Sequence, residues 1–216
     1  MLVCSCIDLP KPVTLIGNSM IAVLSECVAT FIYDRRVGLV ADAVQSVIWQ
    51  VSTATGDYIM TFDDPTIKPT YEVLPRVNRK HIRNSELYFT NLATNSVGKA
   101  TILPDGSVAC TIQILTTKPL TADDFALSDD ATAYAGNNTL WQVKADGHTA
   151  AFVGDLNSTV PQGITSLRLG GTVVDKDVLY LSTQGGLLEA PSGLEVHGGQ
   201  LLAVNVKAFE SHGKKD

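Results

Sequence analysis

Charge is sparse in this chain. Only 18% of its 216 residues are Asp, Glu, Lys or Arg, and the formal net charge is −6. An acidic balance of this kind gives no basic footprint for nucleic acid. Cysteine is also scarce: Cys4, Cys6, Cys27 and Cys110 fit no zinc-site spacing and are too few for a disulfide framework, so they read as buried or free thiols. The four histidines, His81, His148, His197 and His212, lack the mutual spacing of a metal site or a catalytic triad and read as surface residues. No apolar run reaches the roughly 18 residues of a membrane-spanning helix. The N-terminus, MLVCSCIDLPKP, has no basic segment leading into an apolar one, which favours a cytoplasmic protein without a signal peptide. Gly-x-Ser-x-Gly and phosphate-loop patterns are missing as well.

What the chain does have is apolar residues, 45% of the total, arranged in a repeat. Trp49-Gln50-Val51 recurs as Trp141-Gln142-Val143, 92 residues later. Half that interval, 46 residues, separates Tyr88 from Tyr134 and Tyr134 from Tyr180. One further step back from Tyr88 reaches Asp42, inside the strand-like Gly38 to Asp42. Each period contains short β-branched segments separated by turn residues, among them Thr55-Gly56-Asp57, Pro104-Asp105-Gly106 and Ala145-Asp146-Gly147. Such a period with such turns predicts an all-β protein, a β-propeller of four-stranded antiparallel blades. The first strands are expected at Ser19 to Leu24, Val77 to Arg83, Asp124 to Ser128 and Ile164 to Leu169. The last blade should begin a third strand at Leu201 to Val206 without a fourth, giving about three and three-quarter blades. The expected layout is a tail over 1–10, the partial propeller over 11–206 and a second tail over 207–216, with a long proline-bearing surface connection from Asp63 to Pro75.

The segments Gly38 to Asp42 with Val47 to Val51, Asp63-Asp64-Pro65-Thr66-Ile67-Lys68-Pro69, Glu86 to Asn91, Asp123 to Leu127, Gly136 to Leu140 and Asp177 to Thr183 carry a further resemblance. Through them the chain, from about Lys11 to Val206, resembles the six-bladed propellers of the gluconolactonase and regucalcin-like class, within it a fungal branch. That resemblance implies two more blades ahead of Lys11, including the blade that supplies an acidic ligand in metal-dependent members. It also implies a ligand site where first strands start. Asn78 and Asp123 match positions that hold a divalent cation such as calcium in those members, and Asn18 matches a polar pocket residue. Their hard oxygen donors suit such an ion. Arg79 follows Asn78 and could hold an anionic or phenolate-like substrate by charge-assisted hydrogen bonds. Gln162 and Thr165 begin the last first strand and could complete a polar ring, whereas Asp124 reads as a turn residue.

The branch it resembles includes hetero-Diels–Alder cyclases of tropolone sesquiterpenoid biosynthesis, which join a reactive quinone methide to a macrocyclic terpene. The resemblance therefore implies a small-molecule enzyme with Asp123, Asn78 and Arg79 in catalytic roles and Asn18, Gln162 and Thr165 binding substrate. No cofactor is needed for that reaction. A calcium-dependent lactonase, with Asn78 and Asp123 on the metal, and a non-catalytic propeller remnant are the alternatives. The expected partner is a small molecule, not nucleic acid or membrane. Open blade edges at Ser19 to Leu24 and Leu201 to Val206 invite self-association.

Overall fold

The computed structural model describes residues 29–32, 36–42, 45–68, 77–118, 121–155, 157–187 and 195–207. Apart from one 3-10 turn at Pro65–Ile67, the regular structure of these residues is β-strand. The first sheet holds β1 (Ala29–Ile32), β2 (Val37–Asp42), β3 (Val47–Ser52) and β4 (Tyr58–Asp63). A second holds β5 (Val77–Arg83), β6 (Glu86–Asn91), β7 (Ser96–Ile102) and β8 (Val108–Thr116). A third holds β9 (Phe125–Leu127), β10 (Ala133–Gly136), β11 (Leu140–Val143) and β12 (Thr149–Val153). The fourth holds β13 (Ile164–Leu169), β14 (Val178–Thr183) and β15 (Leu201–Asn205). Within every sheet spatial order follows chain order and all pairings are antiparallel. The first strands β1, β5, β9 and β13 lie next to one another in series, which places them along a common axis.

The meander arises from local chemistry. Asn84 and Ser85 both take left-handed backbone angles and join β5 to β6 in a two-residue turn that matches strand twist. At the turn after β11, Gly147 has φ +90°, and a Cβ there would lie 2.8 Å from the Leu115 carbonyl oxygen. Asp146 closes the same turn by accepting from the His148 N–H at 2.9 Å.

Sheets pack face to face, and the two-residue side-chain period divides each second strand between two cores. Leu87 and Phe89 of β6 join Leu39, Ile48 and Phe62 between the first and second blades. Tyr88, between them in sequence, joins Phe125, Ala133 and Val143 between the second and third. Tyr134 turns the other way from Ala133 and Ala135 and packs with Phe152, Leu167 and Leu181 between the third and fourth. Both faces of the middle blades are thus covered, and β6 and β10 are buried along nearly their whole length.

The repeat period is confirmed, with three adjustments. Tyr88, Tyr134 and Tyr180 occupy second strands, opposite Lys99, Gln142 and Ala203. In the first blade, however, Leu39 rather than Asp42 holds the equivalent position, because Leu39 pairs with Gln50 as Tyr134 pairs with Gln142. The first strand of that blade is Ala29–Ile32, not Ser19 to Leu24, which lies outside the described residues, as does Asn18. The connection after β4 is also more than a surface loop where it is described. Ile67 is fully buried, and its carbonyl oxygen accepts from Asn91 Nδ2 at 2.7 Å.

A size exchange distinguishes the second blade. Trp49 faces Val40 and Trp141 faces Ala135, a large residue on the third strand against a small one on the second. At the matching place Gly98 faces Phe89, with the sizes reversed. A Cβ on Gly98 would come within 2.6 Å of Phe89 Cζ. Phe89 is completely buried and has no room to retreat. Gly98→Ala is therefore expected to lower stability by about 1–3 kcal/mol through overpacking. Urea unfolding measures it, and pairing the change with Phe89→Leu should recover part of the loss.

Candidate functional site

The inner strands alternate like the outer ones, so every second residue faces the axis. On β5 these are Arg79, His81 and Arg83; along β9 and its flanks they are Asp124, Ala126 and Ser128; on β13 they are Ser166 and Arg168. All eight line one cleft of about 810 Å³. Register sorts them into levels. His81, Ala126 and Arg168 lie opposite Tyr88, Tyr134 and Tyr180 and so share one level. Arg79, Asp124 and Ser166, two residues earlier on each strand, form the next. The cleft runs from there to the end at which β5, β9 and β13 finish, where Lys176, Asp177 and Lys207 form its rim.

Asp124 organises the upper level. One carboxylate oxygen accepts from the Phe125 N–H at 2.8 Å and faces Arg79 Nε at 3.5 Å. The other accepts from Ser166 Oγ at 2.9 Å and from the Leu167 N–H at 3.1 Å. The turn reading of Asp124 is thereby corrected. Its side chain is buried and links the second, third and fourth blades.

His81 has the exposure expected of a surface residue, and the surface it lies on is the cleft. Its ring stands edge-on to Phe125 at 4.7 Å between centroids. Nε2 donates to the Phe125 carbonyl oxygen at 2.9 Å, since a carbonyl can only accept. Burial lowers its pKa below the usual imidazole value. The Asp124 charge and the Phe125 carbonyl oppose that shift, and Arg79 and Arg168 add to it. Lower in the cleft, Arg83 pairs with Asp129 at 2.8 Å and Lys207 with Asp177 at 2.8 Å.

Of the residues singled out from sequence, Arg79 lines this cleft. Asn78, whose side chain is outside the described set, Asp123 and Thr165 each stand three residues ahead of the shared level of His81, Ala126 and Arg168, so their backbones occupy matching places where the inner strands start. Thr165 Oγ1 is bonded across the strand pair to Ser182 Oγ at 3.2 Å. Gln162 is buried and donates to the Glu195 carbonyl oxygen at 3.2 Å. Neither Asp123, Thr165 nor Gln162 lines the cleft. Sequence reading passed over Asp124, His81 and Arg168. The available signal was the alternation Arg79-x-His81-x-Arg83 on an expected first strand. Among the described residues no three His, Cys, Asp or Glu side chains gather as a metal-holding group. No helix among them is long and apolar enough to cross a membrane.

Comparison with known proteins gives fold relatives and no sequence relatives. No protein-family model matches, and no curated protein matches in sequence. Among solved structures, a luciferin-regenerating enzyme superposes with a TM-score of 0.55 at 15% identity, over 78% of this chain and 57% of that one. The calcium-binding protein regucalcin of Agrobacterium tumefaciens gives 0.51 at 12% identity, over 79% and 59%. A streptogramin B lyase gives 0.50 at 14% identity, over 77% and 50%. The chain has the β-propeller fold. It spans between half and three-fifths of the length of these propellers.

Two measurements test this description of the propeller's channel. Asp124→Ala removes the acceptor for several donors at once and is expected to cost about 3 kcal/mol. Asp129→Ala, at a fully exposed partner of Arg83, should change stability by less than about 1 kcal/mol. Urea unfolding of both variants compares them. His81 supplies a pH signature. With its folded pKa lowered, the unfolded chain binds a proton where the folded chain resists one, so stability should fall as pH drops below about 6.5. His81→Gln should flatten the stability profile between about pH 7.5 and 5.5, and an unchanged profile would contradict the buried neutral imidazole.

Proposed function

We propose that this chain forms the substrate channel of a small-molecule enzyme of fungal secondary metabolism, a hetero-Diels–Alder cyclase that joins a quinone methide to a terpene. The observation that carries the reading is the donor set of the cleft. Arg79, His81 and Arg168 face one space beside a carboxylate, Asp124, whose two oxygens already serve the protein itself.

Such a cycloaddition breaks no σ bond and transfers no group. One carbon–carbon and one carbon–oxygen bond form as two π bonds are consumed and a third shifts. The heterodiene oxygen gains negative charge along the way. Guanidinium N–H groups held in a part-buried cleft stabilise that charge without needing to reorganise. Orienting the two partners supplies the remainder of the rate and the stereochemistry. Apolar lining from Leu127, Leu169 and Val206 suits the terpene partner. In this reading Arg79 polarises the heterodiene carbonyl with Asp123 and Asn78 assisting, and Gln162, Thr165 and Asn18, the last outside the described residues, orient substrate. Asn78 and Asp123 would be the metal ligands of a calcium-dependent lactonase, and the experiment separates the two activities.

The purified chain is incubated with a tropolone quinone methide generated in situ and a macrocyclic terpene alcohol, with and without chelator. The expected result is one stereoisomer, formed equally well in both, with Arg79→Met slower by about 100-fold. Racemic product at the uncatalysed rate would overturn the proposal. Calcium-dependent opening of a lactone in place of cycloaddition would replace it with the hydrolase.

A further inference from the structure

The level shared by His81, Ala126 and Arg168 points to a more specific ligand chemistry than the cyclase reading alone. We infer that it is a binding subsite for the oxyanion of a small organic acid, a carboxylate or phenolate held between Arg168 and His81. The inference rests on the cleft being the substrate site and specifies what that site takes.

Consider first the charges. Every carboxylate along the cleft has a protein donor. Asp124 serves Phe125, Ser166 and Leu167; Asp129 serves Arg83; Asp177 serves Lys207; Asp130 accepts from Ser128 Oγ and the Thr132 N–H. Arg168 makes no ion pair with any described residue, yet it is close enough to His81 for its charge to act on the imidazole. A guanidinium with five donors in a fixed fork suits an oxyanion approached in its own plane.

The imidazole offers the second contact. Its Nε2 is committed to the Phe125 carbonyl, which fixes the ring and turns Nδ1 toward other partners. In the neutral ring that nitrogen only accepts, so an oxyanion settles beside it together with a proton that turns Nδ1 into a donor. Ala126, on the strand between those that carry His81 and Arg168, is buried in the apolar core with Tyr134 and Leu167 and puts no polar group between the two. Tyr134 and Leu169, which also line the cleft, give the organic body of the ligand an apolar wall.

Benzoate is the probe, with benzamide as its neutral counterpart. Imidazole nitrogen resonances of the full chain, assigned to His81 by their loss in His81→Gln, are followed during titration with each compound. Benzoate is expected to move the His81 signals saturably and benzamide to leave them in place. Arg168→Gln should weaken benzoate at least tenfold while its unfolding midpoint shows it folded. Equal affinity in Arg168→Gln, or equal shifts with benzamide, would overturn the inference. Stereoselective cyclisation that benzoate neither inhibits nor accompanies with a shift at His81 refutes the subsite and leaves the cyclase standing. Benzoate bound as expected by a protein that yields only racemic product refutes the cyclase and leaves the subsite.

Discussion

The carboxylate of Asp124 ties three consecutive blades at the place where their inner strands converge. Sheets packed face to face hold together chiefly through apolar contact, which is strong but does not fix how far one blade slides along another. Directional bonds from Asp124 to the Ser166 hydroxyl and the Leu167 N–H set that register between the third and fourth blades. The Arg79 contact extends it to the second. Levels of side chains around the axis are meaningful only because this register is set. The row of His81, Ala126 and Arg168 follows from the same constraint.

Charge in the channel is arranged by subtraction. Five Arg and Lys side chains and four carboxylates line it; Arg79, Arg83 and Lys207 are paired with Asp124, Asp129 and Asp177, so Arg168 and Lys176 are the cations that face a ligand without a described carboxylate partner. Counting acidic and basic residues would suggest a neutral cleft. Asking what each one is bonded to gives a cationic one.

Much of the fold was legible because its signals are periodic. The paired Trp-Gln-Val segments and the tyrosines at intervals of 46 fall on equivalent strands, and most strand limits agree to within two residues. Where the period failed, packing is the reason. Phe89 and Gly98 exchange sizes and hide the third-strand tryptophan of the second blade. In the first blade the equivalent position is Leu39, three residues further from Tyr88 than the 46-residue period, so stepping back by 46 landed on Asp42. The site was less legible. Asp124 beside Asp123 resembles turn chemistry in sequence, and only the return of β13 alongside β9 gives its carboxylate a partner. A lone histidine carries no local sign that its ring will meet a neighbouring blade's carbonyl.

The exchange between Phe89 and Gly98 bears on how such a chain can diversify. Blades look like interchangeable modules, and recombination between repeats is an easy route to new channel linings. Here the second and third strands of the second blade form a matched pair that differs from those of its neighbours. A crossover falling between them would bring a tryptophan against Phe89, or leave a glycine facing Ala135, and either product would carry a steric conflict or a void. A crossover in the turns between blades would move the pair intact. Viable chimeras of this protein should therefore have their junctions between blades, with whole blades inherited together and inner-strand residues such as Arg79 and His81 travelling with the core that supports them.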